Sequence, residues 1–226
     1  MTPTQDEAHS LALPLSRIAA LPPFNQISAL LDFYRLVRPW LSGPRLGGMY
    51  EILEYDSTLE LLDVKGETAI FRKLQRVKFL QDNIIAFQDY AWGDGDIFAD
   101  YRCSPGIVVD RYQEGDRWNI LISLRESKSK GDIENFYSER KVKRGFTGSE
   151  EWQQVEIRSA TQQLHMNIIF PKQRRCQRAL LLQRSRNRMI VLGPEHFHIY
   201  PDGRQLLSWE TSKIRRFEIF TIRWWW

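Results

Sequence analysis

The chain has 226 residues, 42% of them hydrophobic and 27% charged, with two cysteines and a net charge of +4. This composition excludes a disordered chain, and Cys103 and Cys176 cannot build a disulfide framework or a zinc site. No run approaches the ~18 apolar residues of a transmembrane helix, and the acidic N-terminus lacks the charge of a signal peptide. We therefore expect a cytoplasmic protein, and no motif calls for a cofactor.

Charge is distributed unevenly along the chain. Residues 1–116 carry 11 Lys or Arg against 17 Asp or Glu, whereas residues 117–226 carry 21 against 11. A basic half of this kind indicates an anionic partner, unless folding brings the two halves together and cancels the field.

One helix is predicted, near the N-terminus. Residues 1–23 lack sustained periodicity and are predicted to be a loose tail, and residues 42–48 a glycine-rich linker. Between them, residues 24–41 are predicted to form an amphipathic helix with Asn25 as its N-cap. Its apolar face consists of Ile27, Leu30, Leu31, Tyr34, Val37 and Leu41. Because this face would aggregate if exposed, we expect it to cover an open sheet edge or to dock on a partner.

Residues 49–226 are predicted to form a mostly β domain, an antiparallel sandwich or distorted barrel. Short β-prone segments alternate there with turn signals every ~8–12 residues. The predicted strands are Thr58–Leu62, Thr68–Phe79, Asn83–Gln88, Ile97–Cys103, Trp118–Leu124, Val155–Arg158, Gln163–Phe170, Arg178–Gln183, Arg188–Leu192, His196–Tyr200, Gln205–Trp209 and Phe217–Trp224. Apolar alternation in WNILISL and LHMNIIF predicts that the strands containing them are central.

The segment QDYAWGDGD, residues 88–96, concentrates carboxylates and glycines. Its spacing misses the calcium-binding loop pattern, and Asp94-Gly95 predicts a type I′ hairpin turn. An acid/base pair of Asp94 with Asp96, or of Asp89 with a distant partner, remains an alternative, as does a metal-binding loop. A turn explains neither Asp89 nor Trp92, so a functional loop would place these two in a pocket, with Asp94 and Asp96 facing solvent.

The segment PEHFHIYPDG contains a pair of histidines. On a strand, His196 and His198 share a face and could bind one metal, with Glu195, Asp202 or His165 completing the shell. The alternative is a solvent-facing pair on an edge strand. The first interpretation is compatible with a metal-assisted hydrolase.

A run of positive side chains without acids extends from residue 172 to residue 188. It comprises Lys172, Arg174, Arg175, Arg178, Arg184, Arg186 and Arg188, and the segment ERKVKRG adds Arg140, Lys141, Lys143 and Arg144. Arginine suits phosphate and carboxylate, so the run is a candidate surface for an anionic partner or nucleic acid. It contains no aromatic residue on which bases could stack. The alternative is a solvated strand face with ALLL in the core.

The C-terminal segment RRFEIFTIRWWW combines aromatic and basic side chains. Trp224, Trp225 and Trp226 beside arginines have the composition of a membrane-interface or partner-binding surface. The alternative is a last strand that completes a sheet.

These patterns predict a non-catalytic interaction or ligand-sensing domain with a basic contact surface in its second half. The motifs of common nucleophilic, nucleotide-binding and metalloprotease sites are not found in the sequence. We expect a protein or anionic partner. Nucleic-acid binding is the first alternative, a hydrolase using the histidine pair the second, and a membrane surface ranks below both. The sequence does not indicate an oligomeric state.

Overall fold

The computed structural model describes residues 48–226, and this part of the chain is mostly β. Its 14 strands are β1 (Tyr50–Leu61), β2 (Thr68–Phe79), β3 (Ile84–Ala91), β4 (Asp96–Ser104), β5 (Ile107–Glu114), β6 (Arg117–Lys128), β7 (Ile133–Lys143), β8 (Glu150–Glu156), β9 (Leu164–Phe170), β10 (Arg178–Gln183), β11 (Arg188–Val191), β12 (Phe197–Ile199), β13 (Gln205–Thr211) and β14 (Ile219–Trp225). No helix among these residues is long and apolar enough to cross a membrane. The predicted tail, helix and all but the last residue of the linker lie outside the described residues.

The strands form three open sheets. A seven-stranded sheet has the order β12-β13-β9-β1-β2-β7-β4, a four-stranded sheet the order β11-β10-β14-β8, and a three-stranded sheet the order β3-β6-β5. The pairing of β1 with β9 is parallel and the other strand pairs are antiparallel. Within residues 48–226, β8 and β3 are therefore sheet edges.

Both smaller sheets pack against the large one through aromatic side chains. Phe87 on β3 stacks on Phe136 on β7, with ring centroids 4.0 Å apart. The four-stranded sheet makes a second such contact, in which the rings of Phe170 on β9 and Trp224 on β14 meet edge to face at 5.9 Å. A single apolar core thus lies between the large sheet and the two smaller sheets.

Alternation along the strands accounts for this core. In β9, Leu164, Met166, Ile168 and Phe170 are fully buried, while the residues between them are half-buried. β9 has neighbours on both sides and β6 is the middle strand of its sheet, which confirms that both are central. The burial pattern also confirms that apolar periodicity sets which face of β9 packs inward.

Two predicted strands, Thr68–Phe79 and Arg178–Gln183, have the observed bounds, and two observed strands were missed. The missed strands are β5 and β7, and five of the 11 residues in β7 are charged. Sheet contacts on both sides of β7, to β2 and β4, outweigh this poor intrinsic strand signal.

The Asp94-Gly95 turn was predicted to join two paired strands, and this prediction is wrong. The turn lies between β3, which pairs with β6, and β4, which pairs with β7, so it carries the chain from one sheet to another. Gly95 has φ of +73°, and a Cβ there would lie 2.3 Å from the carbonyl oxygen of Lys143. Close backbone packing and the left-handed conformation both require glycine at this position.

The C-terminal tryptophans divide between core and surface. β14 pairs with β10 and β8, which places Trp224 (0% exposed) and Trp226 (6%) inside. These two cannot form the membrane or partner surface that was predicted for them. Trp225 points outward, where its Nε1 donates to Glu150 at 3.0 Å.

We expect replacement of Trp224 by Ala to lower the free energy of unfolding by ~3–5 kcal/mol, because it leaves a cavity among fully buried rings. Trp225→Ala is the matched control on the other face of the same strand and should cost ~1 kcal/mol. Urea denaturation followed by circular dichroism measures both. Equal losses would contradict this assignment of core and surface.

Candidate functional site: a cleft between two sheet edges

A cleft lies between the edge strands β3 and β8 of the two smaller sheets, above the inner face of the large sheet. One cavity of about 50 Å³ adjoins residues 90–94 and 151–154, and a second of about 40 Å³ adjoins residues 87–90 and 156–159. Tyr55, Lys73, Tyr90 and Trp92 border both cavities, so the two adjoin. Their size suits small chemical groups such as a carboxylate or a short side chain.

A buried ion pair lies at the base of the cleft. The Lys73 ammonium on β2 donates to Oδ1 of Asp89 on β3, and the two residues are 7% and 4% exposed. Oδ2 of Asp89 accepts hydrogen bonds from the hydroxyls of Tyr101 (3.1 Å) and Ser138 (3.0 Å). Both carboxylate oxygens therefore have partners, as a buried charge requires.

This ion pair also caps the free edge of β3. The Tyr90 backbone N–H donates to Asp89 Oδ1 at 2.8 Å, and the Tyr90 carbonyl accepts from Lys73 at 3.0 Å. In an antiparallel strand the N–H and C=O of one residue point to the same side, here away from the partner strand β6. The pair thus satisfies backbone groups that would otherwise be orphaned in the cleft wall.

The pair stays ionised around neutral pH. Burial alone would raise the pKa of Asp89, but the Lys73 ammonium and the hydrogen bonds lower it below its ordinary value. Burial alone would lower the pKa of Lys73, and the Asp89 carboxylate raises it instead. Each charge stabilises the other in a site with little water.

Arg140 on β7 is a cation in the cleft without a counter-ion. It takes part in none of the ion pairs among residues 48–226, and its Nε has no hydrogen-bond partner there. Its guanidinium lies 4.4 Å from the centroid of the Phe71 ring, and Nη2 donates weakly to the Trp92 carbonyl at 3.5 Å. Burial lowers the pKa of Arg140 to about 10, partly offset by Asp89, so the charge persists at neutral pH.

Other groups near Arg140 give the first cavity a mixed lining. Gln153 is 4% exposed; its amide nitrogen donates to Ser57 at 2.7 Å, while its oxygen has no partner among the described residues. At the rim are two carboxylates, Asp94 and Glu151. Burial, and then the charge of Asp94, raise the pKa of Glu151. The cavity is therefore positive at Arg140 and negative at its rim.

Charged and aromatic side chains bridge the two smaller sheets at the second cavity. Arg117 at the start of β6 pairs with Glu156 at the end of β8. The Arg158 guanidinium lies 3.4 Å from Glu156 and 4.6 Å from the centroid of the Tyr90 ring. This cluster holds the sheets side by side without pairing β3 to β8.

The structure separates the four residues singled out in QDYAWGDGD. Asp89 and Trp92 border the cleft. Asp94 is exposed at its rim, whereas Asp96 is exposed outside it and accepts from the Phe98 N–H. Sequence reasoning missed Lys73, which lies 16 residues before Asp89 on a strand of another sheet.

The two predicted metal-binding histidines do not share a strand face. His196 lies in a 3₁₀ turn before β12, with Nδ1 3.1 Å from the Ser208 carbonyl oxygen, and His198 is exposed on β12. His165 is on β9 near Asp56 and Glu210. Among residues 48–226, no three His, Cys, Asp or Glu side chains are grouped so as to hold a metal ion. The turn removes the strand alternation on which the prediction rested.

The basic run forms a hairpin, β10–β11, and none of its seven cations borders either cavity. Arg186 forms an ion pair with Glu218 at 3.0 Å, and it is the one member of the run that pairs with a carboxylate in the described part of the chain. Arg174 and Arg175 donate to backbone carbonyls, which leaves their charge in place. Trp225 lies beside Arg178, so sheet pairing supplies an aromatic ring that the run itself lacks.

Comparison with known proteins gives no family. No family model matches the sequence, and no curated protein matches it. Among solved structures, a putative protease from Parabacteroides distasonis ATCC 8503 shares 10% identity with a TM-score of 0.45. The similarity covers 79% of this chain and 40% of that one, so the chain spans less than half of its length. A likeness at this level supports no conclusion about function.

Breaking the buried ion pair should cost far more than breaking an exposed one. We expect Lys73→Met to lower the free energy of unfolding by ~3–5 kcal/mol, because Asp89 is left buried and unpaired. The double variant Lys73→Met/Asp89→Asn should lose less than the sum of the single losses. The control on the same strand is Lys78→Met, which breaks a 3.6 Å surface pair and should cost under ~1 kcal/mol. Additive single losses in urea denaturation would contradict the coupling.

The lowered pKa of Asp89 predicts an acid dependence of stability. As pH falls below ~4, this carboxyl takes up a proton in the unfolded chain before it does so in the folded protein. The contribution of Asp89 to stability is thus complete above the pKa that this carboxyl has in the unfolded chain, and it is lost as pH falls through the pKa in the folded protein. In Asp89→Asn, this part of the pH dependence of the free energy of unfolding should be missing. Urea titrations from pH 6 to pH 2 would show the difference. Parallel curves for the two proteins would count against the ion pair.

Proposed function

We propose that this chain is a non-catalytic ligand-binding β domain whose cleft between β3 and β8 takes an anionic group of the ligand. The observation that carries the proposal is Arg140, a half-buried cation that borders the cleft and has no carboxylate partner among residues 48–226. A charge partly withdrawn from water without a counter-ion is unfavourable, and a bound anion would offset that cost.

The setting of Arg140 favours a carboxylate or phosphate oxygen. Guanidinium presents several N–H donors in one plane, and its Nε–H is free of other partners. Phe71 covers one face of the group and holds it in place, so little side-chain entropy remains to be lost on binding.

The chemistry of the nearby groups supports binding and not catalysis. Asp89 is ionised and occupied by Lys73, Tyr101 and Ser138, which leaves no oxygen for proton transfer to a ligand. Burial, followed by the charge of Asp89, raises the pKa of Cys103. Its thiol is therefore protonated at neutral pH and a poor nucleophile.

We also propose how the three sheets are arranged in layers. We take the domain to be an antiparallel sandwich in which the large sheet forms one layer and the two smaller sheets the other. The aromatic contacts of both smaller sheets with the large sheet support this arrangement. The cleft is then the gap in the second layer.

Nucleic acid remains a second candidate ligand, at the basic run. One observation favours it: on the outer face of the four-stranded sheet, Trp225 lies between Arg178 and Arg223, with the ring centroid 5.3 and 5.4 Å from the two guanidinium carbons. Alternating aromatic and basic side chains are typical of surfaces that bind single strands. Glu150, which accepts from Trp225, reduces the positive charge at this point.

A pair of variants distinguishes the two sites. We expect benzoate and inorganic phosphate to bind the wild type in calorimetric titrations, and Arg140→Met to weaken this binding by ~10-fold or more. Arg178→Gln, the control outside the cleft, should leave small-anion binding unchanged. An oligothymidylate titration, read by fluorescence anisotropy at two salt concentrations, tests the second candidate. Oligothymidylate binding that depends on Arg178, without any small-anion binding, would replace the proposed function by the second candidate.

A further inference from the structure

The two walls of the cleft differ in their backbone hydrogen bonding. Backbone bonds of 2.9 Å and 2.7 Å join Ile157 to Glu218 and Phe217, which directs the polar groups of Ile157 toward the strand next to β8. Because this direction alternates along a strand, Trp152, Gln154 and Glu156 direct their N–H and C=O groups to the opposite side, into the cleft.

The edge of β3 is capped at Tyr90, whereas the edge of β8 is open at Trp152 and Gln154. Tyr90 has its N–H and C=O satisfied by Asp89 and Lys73. For the cleft-facing backbone groups of Trp152 and Gln154, the described part of the chain offers no strand or side-chain partner. EEWQQVE contains no proline, no lysine and no bulge, so the three glutamates of β8 are its protection against unwanted strand pairing.

We infer that the ligand is an extended peptide segment of a partner protein, which pairs with β8 as an added strand and places an acidic side chain at Arg140. This inference rests on the proposed function, which assigns the anion site, and adds the class of ligand. Backbone pairing supplies affinity in such complexes, and pockets for alternate side chains supply specificity.

The cleft lining predicts the side chains of the peptide. Arg140 selects a carboxylate, and the free amide oxygen of Gln153 offers an acceptor in the same cavity. Asp94 and Glu151 at the rim select a lysine or arginine at a neighbouring position. The two small cavities admit individual side chains of a strand, which suits a peptide better than a bulky cofactor.

Charge argues against a second copy of this chain as the occupant. β8 carries Glu150, Glu151 and Glu156 and no basic residue, so two β8 edges brought together would repel each other. A peptide with both an acidic and a basic side chain has no such conflict.

The experiment is selection of binders from a random peptide library displayed on phage against the full chain. We expect the selected peptides to share an acidic residue and a neighbouring lysine or arginine. Calorimetry then measures the affinity of one synthetic peptide for Gln154→Pro, which removes an N–H from the open edge but none from the ladder with the neighbouring strand. We expect about tenfold weaker binding. Gln154→Ala, which keeps the N–H, is the matched control and should bind within about twofold of the wild type.

A backbone-methylated form of the same peptide keeps the test decisive if Gln154→Pro fails to fold. Two forms of the peptide are compared, each methylated on one of the two alternating sets of backbone nitrogens. Methylation of the set that faces β8 should abolish binding, and methylation of the other set should leave it unchanged. Selected peptides without an acidic residue, equal binding of both methylated forms, or no selection at all would overturn the inference. If benzoate binding still depended on Arg140 in that case, the proposed function would stand alone. A concentration-dependent dimer that Gln154→Pro dissociates would assign the edge to a second copy and also overturn the inference.

Discussion

The ion pair between Lys73 and Asp89 closes the edge of β3 at Tyr90, beside the gap between the two smaller sheets. A free strand edge presents a row of unpaired N–H and C=O groups with which another strand can pair. Here one carboxylate and one ammonium satisfy both groups of Tyr90, so β3 needs no further strand at this residue. The cap thus takes the place of a neighbouring strand where β3 borders the cleft.

The cap also fixes the chemistry that remains for a ligand. Asp89 and Lys73 neutralise each other and are fully engaged, so neither is available to a bound molecule. Arg140 lies near the same carboxylate but forms no ion pair with it, which leaves an unpaired positive charge at the cavity whose rim carries Asp94 and Glu151. The position of this positive charge thus depends on which cation the carboxylate holds.

The sequence predicted the parts of this arrangement that are local. The strand Thr68–Phe79 has strong alternation and clear turns at both ends, and its bounds agreed with the structure. Asp89 was identified because no turn required it. Its partner Lys73 was not identified from the sequence, because it lies on a strand of another sheet and resembles any other lysine on a strand. Likewise, Arg140 was one of several cations in ERKVKRG, and only the pairing of β7 distinguishes it from its neighbours.

The same dependence on strand partners that are distant in the chain explains the predictions that were wrong. The tryptophans of β14 were assigned by composition, whereas their environment follows from the two strands that flank β14. The strand β7 was missed because its charges are typical of a loop. In each case pairing partners distant in the chain decided the outcome, and single-sequence patterns carry no information on them.

The difference between the paired and the unpaired cation has a consequence for how this domain can diverge. Replacing either Lys73 or Asp89 leaves a buried charge alone, so a route that changes both must pass through an unstable intermediate. Arg140 has no such partner, so a single substitution there leaves the cap intact. Under the proposed function, binding at Arg140 can therefore change one mutation at a time on an unchanged framework.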